Sequence, residues 1–288
     1  MINLAVSTFP HGEHIVELPY RLCSWALDDV SNVGLWVDDA DDLVAWAVFQ
    51  LPFWTIDVVV RPDLESRIFP VVLDWAARRA TRGGGAVSER PCWYVHTFSD
   101  RRDRILALET AGYACQADVG EASWSQVLLR RQGDLCRDVT PPEGLTIRPL
   151  AGETEVTAYV DLHRSAFESK NMTIEWRRRT LTAPHRLPSA DLVAEAEDGR
   201  LAGFCIGWLL PGYWGTGQIE PLGVDPVFRD QGVGAALLSQ CLARLAALGA
   251  EEVLVETDSF RDPALELYKS MGFRPIRDIL VYRKDFPV

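Results

Sequence analysis

The stretch VDPVFRDQGVGAALL, Val224 to Leu238, decides how this chain folds. Before it, residues 217–224 are short, rich in apolar side chains and begin at a glycine, which predicts a strand. After it, apolar residues recur every three to five positions as far as Gly249, which predicts a helix that ends there. The first amide groups of a helix have no internal partner and carry the positive end of its dipole. We therefore expect the turn between strand and helix to bind an anion.

Two glycines and an arginine make a phosphate the best match to this turn. Gly232 and Gly234 remove side chains where a phosphate must approach the main chain, and Arg229 adds a positive charge. A glycine-rich connection without a ligand would have the same local pattern. The nucleotide P-loop does not match, because Ala235 and Ala236 stand where it needs Lys and Ser or Thr. A dinucleotide fingerprint needs a third glycine where this chain has a leucine.

Residues 229–234 resemble the Q/R-x-x-G-x-G/A signature of the GCN5-related N-acetyltransferase (GNAT) superfamily. The Val-x-Pro-x-Phe at 224–228 is typical of that family, and residues 262–273 resemble its A-x-x-L-Y-x-x-x-G-F helix. The resemblance implies acetyl-coenzyme A as co-substrate and direct attack of an amine on its thioester, with no metal. Arg261 stands where many members carry an asparagine that contacts the pantetheine arm. The cofactor contacts implied are Leu222, Gly223, Val224, Arg229, Asp230, Gln231, Gly232, Val233, Gly234, Ala235 and Arg261.

The implied reaction needs a base and an acid. An alkylamine with a pKa near ~10 is only about one part in a thousand neutral at pH 7, a cost of roughly 4 kcal/mol. Glu220 is the candidate general base, although an exposed charge at a strand edge would read the same way. Gln218, two residues earlier on the same face, is a candidate acceptor ligand. Tyr268 is the candidate general acid, the alternative being a half-buried helix tyrosine. Tyr213 and Trp214 are further candidate acceptor contacts.

The N-terminal part of the chain repeats the pattern of the C-terminal part. Residues 43–54, 59–85 and 104–113 parallel residues 201–214, 223–250 and 263–273, in the same order, which indicates a tandem duplication.

The first copy lacks the residues of the phosphate site. Glu65, Ile68 and Pro70 stand opposite Arg229, Gly232 and Gly234, and a leucine stands opposite Tyr268. The first copy thus resembles a degenerate GNAT domain kept for structure, for substrate contact or for pairing with the intact copy.

We therefore expect an α/β fold of two tandem GNAT domains, each a mixed, mostly antiparallel sheet flanked by helices. The degenerate domain would span 1–130, a polar linker with Pro-Pro 131–144, and the catalytic domain 145–288. Such a tandem with one intact copy is similar to mycothiol synthase-type members of the family.

Composition narrows the partners. The net charge of −12 argues against nucleic acid or an anionic membrane as a partner, with the cluster 177–179 (Arg-Arg-Arg) as the one basic exception. No apolar window has the length of a membrane helix, so we expect a cytoplasmic protein. The acceptor is expected to be a small-molecule primary amine. A mycothiol synthase-like or protein acceptor, a non-catalytic acyl-coenzyme A sensor and a homodimer all remain compatible with the sequence.

Overall fold

The structure, a computed structural model, describes residues 1–9, 18–82, 85–210 and 215–286. We refer to residues 1–132 as the first half and to residues 145–286 as the second half. Over the described ranges the helices are α1 (Ile2–Ser7), α2 (Leu18–Leu22), α3 (Glu65–Arg82), α4 (Gly85–Ser88), α5 (Arg102–Thr110), α6 (Val156–Phe167), α7 (Ile174–Thr182), α8 (Val233–Ala247) and α9 (Asp262–Ser270). The strands are β1 (Val33–Val37), β2 (Leu43–Gln50), β3 (Thr55–Val60), β4 (Cys92–Phe98), β5 (Ala114–Cys115), β6 (Ser125–Gln132), β7 (Leu145–Pro149), β8 (Asp191–Ala196), β9 (Leu201–Leu209), β10 (Thr216–Val224), β11 (Glu252–Asp258) and β12 (Arg274–Asp285).

These strands form a mixed, mostly antiparallel sheet with helices packed against it, which confirms the predicted fold class. Its order is β1-β2-β3-β4-β12-β6-β11-β10-β9-β8-β7, with β5 paired to β12 at the side. The described pairs are antiparallel except β3 with β4 and β10 with β11. The parallel pair of each half joins the strands before and after one long helix, α3 in the first half and α8 in the second, as expected for two copies of one pattern.

The two halves exchange their last strands. β6, the last strand of the first half, pairs along its whole length with β11 of the second half. β12, the last strand of the second half, pairs with β4 of the first half. β6 and β12 then pair with each other at the centre of the sheet. Each half therefore completes the sheet of the other, and one continuous sheet runs through the molecule.

The segment predicted as a linker, 131–144, begins inside β6 and carries a buried residue. Arg131 and Gln132 pair with β11, and the side chain of Leu135 is buried in the core of the second half. The Pro-Pro part lies outside the strands and helices. The domain boundaries along the chain stay a prediction.

Three apolar clusters hold the layers together. One packs α8 and α9 against the sheet of the second half, and a second packs α3 and α5 against the sheet of the first half. The third lies on the other face of the sheet and joins the halves, because α1 and α2 contribute to it together with α6 and α7. Tyr20 and Phe53 of the first half contact the ring of Trp176 there, with centroids 5.2 and 5.6 Å apart.

Candidate active site

The seam between β10 and β11 opens toward the carboxyl ends of these strands. Their backbones pair only from Thr216–Glu252 to Gln218–Leu254. Beyond that point the register of β10 against β9 shifts between Ile219 and Leu222, so that β10 bends away from β11. The opening lies beside the start of α8 and exposes backbone and side chains of both strands.

A cavity of about 380 Å³ lies at this opening. Gln218, Glu220 and Leu222 of β10 line it, as does Tyr268 of α9. The structure thus brings the predicted base, the predicted acid and the predicted acceptor ligand to one cavity.

The turn before α8 has the geometry expected of an anion site. The short 3₁₀ turn Pro226–Phe228 ends at Arg229, and Gly232 then adopts a left-handed conformation with φ 86°. The first backbone hydrogen bond inside α8 runs from Ala236 to Gly232, so the amides of residues 233–235 precede the helical ladder. A Cβ on Gly234 would lie 3.3 Å from Leu267 of α9, so a glycine there lets the two helices approach each other.

Arg229 is exposed, and its side chain fixes the turn to neighbouring backbone. Its guanidinium donates to the carbonyl oxygen of Ala166 at 2.9 Å and to that of Val224 at 3.4 Å. Gln231 donates to the carbonyl oxygen of Val227 at 2.9 Å. These bonds hold the loop in shape and keep a positive charge beside the helix start.

The surroundings of Tyr268 favour its protonated form. Its side chain is buried, and its ring packs against Phe273 with centroids 5.7 Å apart. Burial, and secondly the charge of Glu220, raise the pKa of its phenol well above the usual value. Tyr268 therefore stays protonated at neutral pH.

The charge of Glu220 affects the pKa of three tyrosines. Its charge raises the pKa of Tyr20 and Tyr159 as well as that of Tyr268, in each case after the larger effect of burial. Its main-chain carbonyl accepts a hydrogen bond of 2.6 Å from the indole of Trp208. The strand is thereby fixed at the residue that carries the candidate base.

The structure adds lining residues that sequence reasoning missed. β11 contributes Glu256, Thr257 and Asp258, and the spacing of two residues between Glu256 and Asp258 was a signal that these two lie on one face of the strand. The first half contributes much of the opposite wall, for which the sequence carries no local signal. These first-half residues are Tyr20, Arg21, Phe53, Thr55, His96, Trp124 and Gln126.

Some predicted residues have a different or undescribed environment. Arg261 lines the cavity but is half exposed, and its guanidinium pairs with Asp258 at 2.7 Å. Tyr213 and Trp214 lie outside the described residues. Their contact with the acceptor stays a prediction.

The three consecutive arginines divide between core and surface. Arg177 is fully buried, pairs with Asp191 at 2.6 Å and lies 3.9 Å above the ring of Tyr159. Arg178 and Arg179 are exposed and pair with acidic side chains. The basic cluster 177–179 is therefore not one solvated helix face, because the side chain of Arg177 points into the core.

Within the described ranges, no three His, Cys, Asp or Glu side chains converge in a way that could hold a metal ion. No helix in the same part of the chain combines the length and apolar content that crossing a bilayer requires.

Known proteins resemble this chain in the sequence of its second half and in its fold. The model of the acetyltransferase (GNAT) family matches residues 156–273. A mycothiol acetyltransferase of Kineococcus radiotolerans is 36% identical over 164 residues, which cover 53% of this chain and 52% of that protein. One of Thermomonospora curvata is 32% identical over 154 residues, covering 52% of this chain and 51% of the relative. The chain thus spans about half the length of these two relatives.

A longer match and two solved structures extend the comparison. A mycothiol acetyltransferase of Acidothermus cellulolyticus is 29% identical over 270 residues, covering 84% of this chain and 76% of that protein. A tandem GNAT protein from the clavulanic acid biosynthesis pathway superposes with a TM-score of 0.67 at 16% identity, covering 100% of this chain and 94% of that one. A GCN5-related N-acetyltransferase from Sphaerobacter thermophilus has a TM-score of 0.65 at 20% identity, with 88% and 81% covered. The signature turn and the family model make residues 156–273 similar to the acetyltransferase (GNAT) family, and the fold of the chain is similar to that of a tandem GNAT protein.

Proposed function

We propose that the second half transfers an acetyl group from acetyl-coenzyme A to a primary amine of a small-molecule acceptor. One observation carries the proposal: Glu220 and Tyr268 line the same cavity, where the β10–β11 seam opens beside the start of α8. A base, an acid and a helix start in this arrangement are what acyl transfer to an amine requires.

The residues at the seam fit a coenzyme A donor. Gly232 has nothing within 4 Å of the position of a Cβ, so a phosphate can approach the main chain there. The amides of residues 233–235 and the positive end of α8 would hold the pyrophosphate. Ala264 presents only a methyl group to the cavity and leaves room for the pantetheine arm of coenzyme A between β10 and β11. The bound donor supplies a thioester carbonyl that an amine can attack.

The protein's own groups would account for the protons of the reaction. The amine gives a proton to Glu220, directly or through a water, and its nitrogen then forms the new bond to the acetyl carbon. The carbon–sulfur bond breaks, and the departing thiolate takes the phenolic proton of Tyr268. Because the pKa of Tyr268 is raised, its phenol is protonated at neutral pH and has a proton to donate.

Calorimetric titration with acetyl-coenzyme A tests the donor site before the acceptor is known. We expect one site per chain, abolished by Gly234→Pro because proline removes an amide and adds bulk at the turn. Two sites would show that the first half also binds the donor. No binding would refute the proposal.

Release of the coenzyme A thiol then tests the chemistry. With an amine that is accepted, we expect Tyr268→Phe to lower kcat about 100-fold or more, and Glu220→Gln by a similar factor, with donor affinity unchanged. Tyr282→Phe, which replaces a buried tyrosine of β12, and Glu153→Gln at an exposed carboxylate are the matched controls. Unchanged turnover in both site variants would refute the assigned roles.

The mycothiol acetyltransferases among the relatives favour a second candidate, transfer to a mycothiol-type acceptor. Screening that acceptor beside simple amines separates the two. The cavity volume of about 380 Å³ favours a small molecule over a protein as acceptor. A sensor that binds acyl-coenzyme A without turnover would show donor binding and no thiol release with any amine. A cytoplasmic location also stays a prediction.

A further inference from the structure

The strand that carries Glu220 contains a β-bulge that its counterpart in the first half lacks. β3 pairs with β2 in unbroken register along its whole length. The register of β10 against β9 breaks between Ile219 and Leu222. The two residues in between, Glu220 and Pro221, stand opposite the single residue Ile206. A bulge of this kind re-aims the side chain that it carries, which here belongs to the candidate base.

The bulge takes the main chain of Glu220 out of both ladders. The pairs with β11 end at Gln218, and the register with β9 passes over Glu220. A backbone carbonyl inside a protein needs a hydrogen-bond donor. The indole N–H of Trp208 supplies one, at 2.6 Å from the carbonyl oxygen of Glu220. A side chain of β9 thus replaces, at the bulge, the backbone amide that a regular ladder provides.

The first half has a different residue at the position of Trp208. The repeat places Gln50 there, and its side chain is buried at the end of β2. Gln50 accepts a hydrogen bond from the hydroxyl of Ser24 at 3.0 Å and donates one to the carbonyl oxygen of Arg21 at 3.5 Å. Both partners lie outside β3. The half with the bulge therefore has the indole, and the half without it uses this position for another contact.

Trp208 acts on the site only through the strand. It is not among the described residues that line the cavity, and its side chain is 1% exposed. It belongs to the apolar cluster that joins the two halves. A change at Trp208 therefore reaches the cavity by moving Glu220 and not by removing a contact with the substrate.

A tyrosine of the first half packs against the ring of Trp208. The ring centroids of Tyr20 and Trp208 lie 6.2 Å apart, with the ring planes tilted by 54°. Tyr20 is itself held by the second half, because its carbonyl oxygen accepts a hydrogen bond of 3.1 Å from the indole of Trp176. Its hydroxyl lies 3.5 Å from the imidazole of His163. Packing of this kind restricts the orientation of the indole N–H.

We propose that Trp208 is a positioning residue for the general base and that Tyr20 of the first half fixes its ring. The indole holds the bulge in the shape that directs Glu220 into the open seam, where it can take the proton of the amine. The first half then contributes to catalysis by fixing this strand. The inference rests on the proposed acetyl transfer and on Glu220 as its base.

Trp208→Phe keeps an aromatic ring and removes the N–H. With an amine that is accepted, we expect kcat at pH 7 to fall about 10-fold or more, and the Kd of acetyl-coenzyme A to stay within about twofold. The deficit should shrink as the pH is raised to about 9.5, because an alkylamine with a pKa of about 10 then supplies its own neutral form. A deficit that is the same at every pH would overturn the inference.

Trp93→Phe is the matched control. Trp93 of β4 is also fully buried, and its indole also donates to a backbone carbonyl oxygen, that of Val87, at 3.2 Å. It lies outside the cavity lining. This variant loses the same kind of hydrogen bond and should keep the native kcat and the native pH profile, whereas a deficit like that of Trp208→Phe would point to a general loss of structure.

The double variant tests whether Trp208 acts through Glu220. Added to Glu220→Gln, Trp208→Phe should lower kcat by less than about a further twofold, because the base that it positions is already gone. If the two factors multiply instead, Trp208 acts independently of the base, and the inference is wrong while the transfer function stands. If Glu220→Gln alone keeps native turnover, the assigned base is wrong and the inference falls with it.

Tyr20→Leu tests the same role with the indole left in place. It should show the same pH-dependent deficit in kcat with a smaller factor, about threefold, because the ring of Trp208 gains freedom but keeps its N–H. Urea unfolding shows which variants are folded. Should Trp208→Phe fail to fold, a native kcat and pH profile in folded Tyr20→Leu would still overturn the inference.

Discussion

The two halves enter α3 and α8 through the same short turn and then differ. Pro62–Leu64 and Pro226–Phe228 are corresponding 3₁₀ turns. In the second half, residues 229–232 separate this turn from α8, whereas in the first half α3 begins at once at Glu65. The extra helical turn of α3 takes the place that residues 229–232 have in the second half.

Charged side chains of the first half stand where a ligand would bind in the second. The carboxylate of Glu65 at the start of α3 pairs with Arg101 at 3.3 Å and with Arg104 at 3.5 Å. Arg104 also donates to the carbonyl oxygen of Val58 in β3 at 3.0 Å. It corresponds in sequence to Ala264 of α9. The first half thus supplies its own anion and its own hydrogen-bond donor.

The seams of the two halves show the result. β3 and β4 share one backbone pair, Thr55 with Tyr94, so this seam opens as the other does. The cavity there is only about 10 Å³, with Arg104 in its lining, against about 380 Å³ at the β10–β11 seam. The first half therefore keeps an open seam, and its own side chains fill the space that is empty at the seam of the second half.

The largest expected effect comes from placing an arginine in the second half at the position that corresponds to Arg104. Ala264→Arg should abolish binding of acetyl-coenzyme A, a loss of at least about 100-fold, because the guanidinium would occupy the gap as Arg104 does in the first half. Isothermal titration of the variant measures this. Glu266→Arg, on an exposed position of the same helix, is the control and should bind normally. Normal binding by Ala264→Arg would break the correspondence between the two seams.

The next test asks whether the halves unfold as one unit. Leu129→Ala in β6 and Leu73→Ala in α3 each remove a buried leucine, from the core of the second half and of the first half respectively. Each should lower the free energy of unfolding by about 2–5 kcal/mol. Since the halves exchange strands, both variants should shift one common transition in urea. Two transitions, each moved by only one variant, would show that the halves are independent.

The smallest effect concerns a histidine at the contact between the halves. His163 lies 3.5 Å from the hydroxyl of Tyr20, and burial, followed by Arg177 and Arg164, lowers its pKa to about 3. Between pH 6.5 and 3 the unfolded chain therefore binds a proton that the folded chain does not. As the pH is lowered across this window, the free energy of unfolding should decrease by up to about 1.4 kcal/mol per pH unit. Above pH 6.5 this contribution is constant.

Urea unfolding at a series of pH values, in the native chain and in His163→Phe, checks this expectation. Phenylalanine keeps the stacking that the imidazole makes with Phe204, with ring planes 11° apart. The variant should lose part of the pH dependence. Equal slopes in the two proteins would remove His163 from the account.

Local patterns predicted the half of the site that local sequence builds. The Gly232–Gly234 turn, α8 and the position of Tyr268 follow from glycines, periodicity and a motif, and the structure places them as expected. Glu256 was within reach of the same reasoning, because it lies two residues before Asp258 at the polar end of β11, next to the strand that carries Glu220.

The wall of the cavity that the first half contributes, and the exchange of strands, could not be predicted in this way. Tyr20, Phe53 and Trp124 reach the cavity through contacts between segments far apart in the chain. The sequence of β6 has the same apolar centre and polar ends whether the strand pairs with its own half or with β11. A strand's choice of partner depends on which edges are open in the assembled sheet, and periodicity carries no information on that.

The exchanged strands also determine which strand edges stay open while the protein is being synthesised. While the ribosome is still adding residues 133–273, the first half has emerged with the edge of β4 open, because β12 does not yet exist. β6 likewise waits for β11. Open edges of this kind invite pairing with other chains. We expect the nascent protein to depend on chaperones, or on the charge that its acidic side chains confer, until its last strand is released.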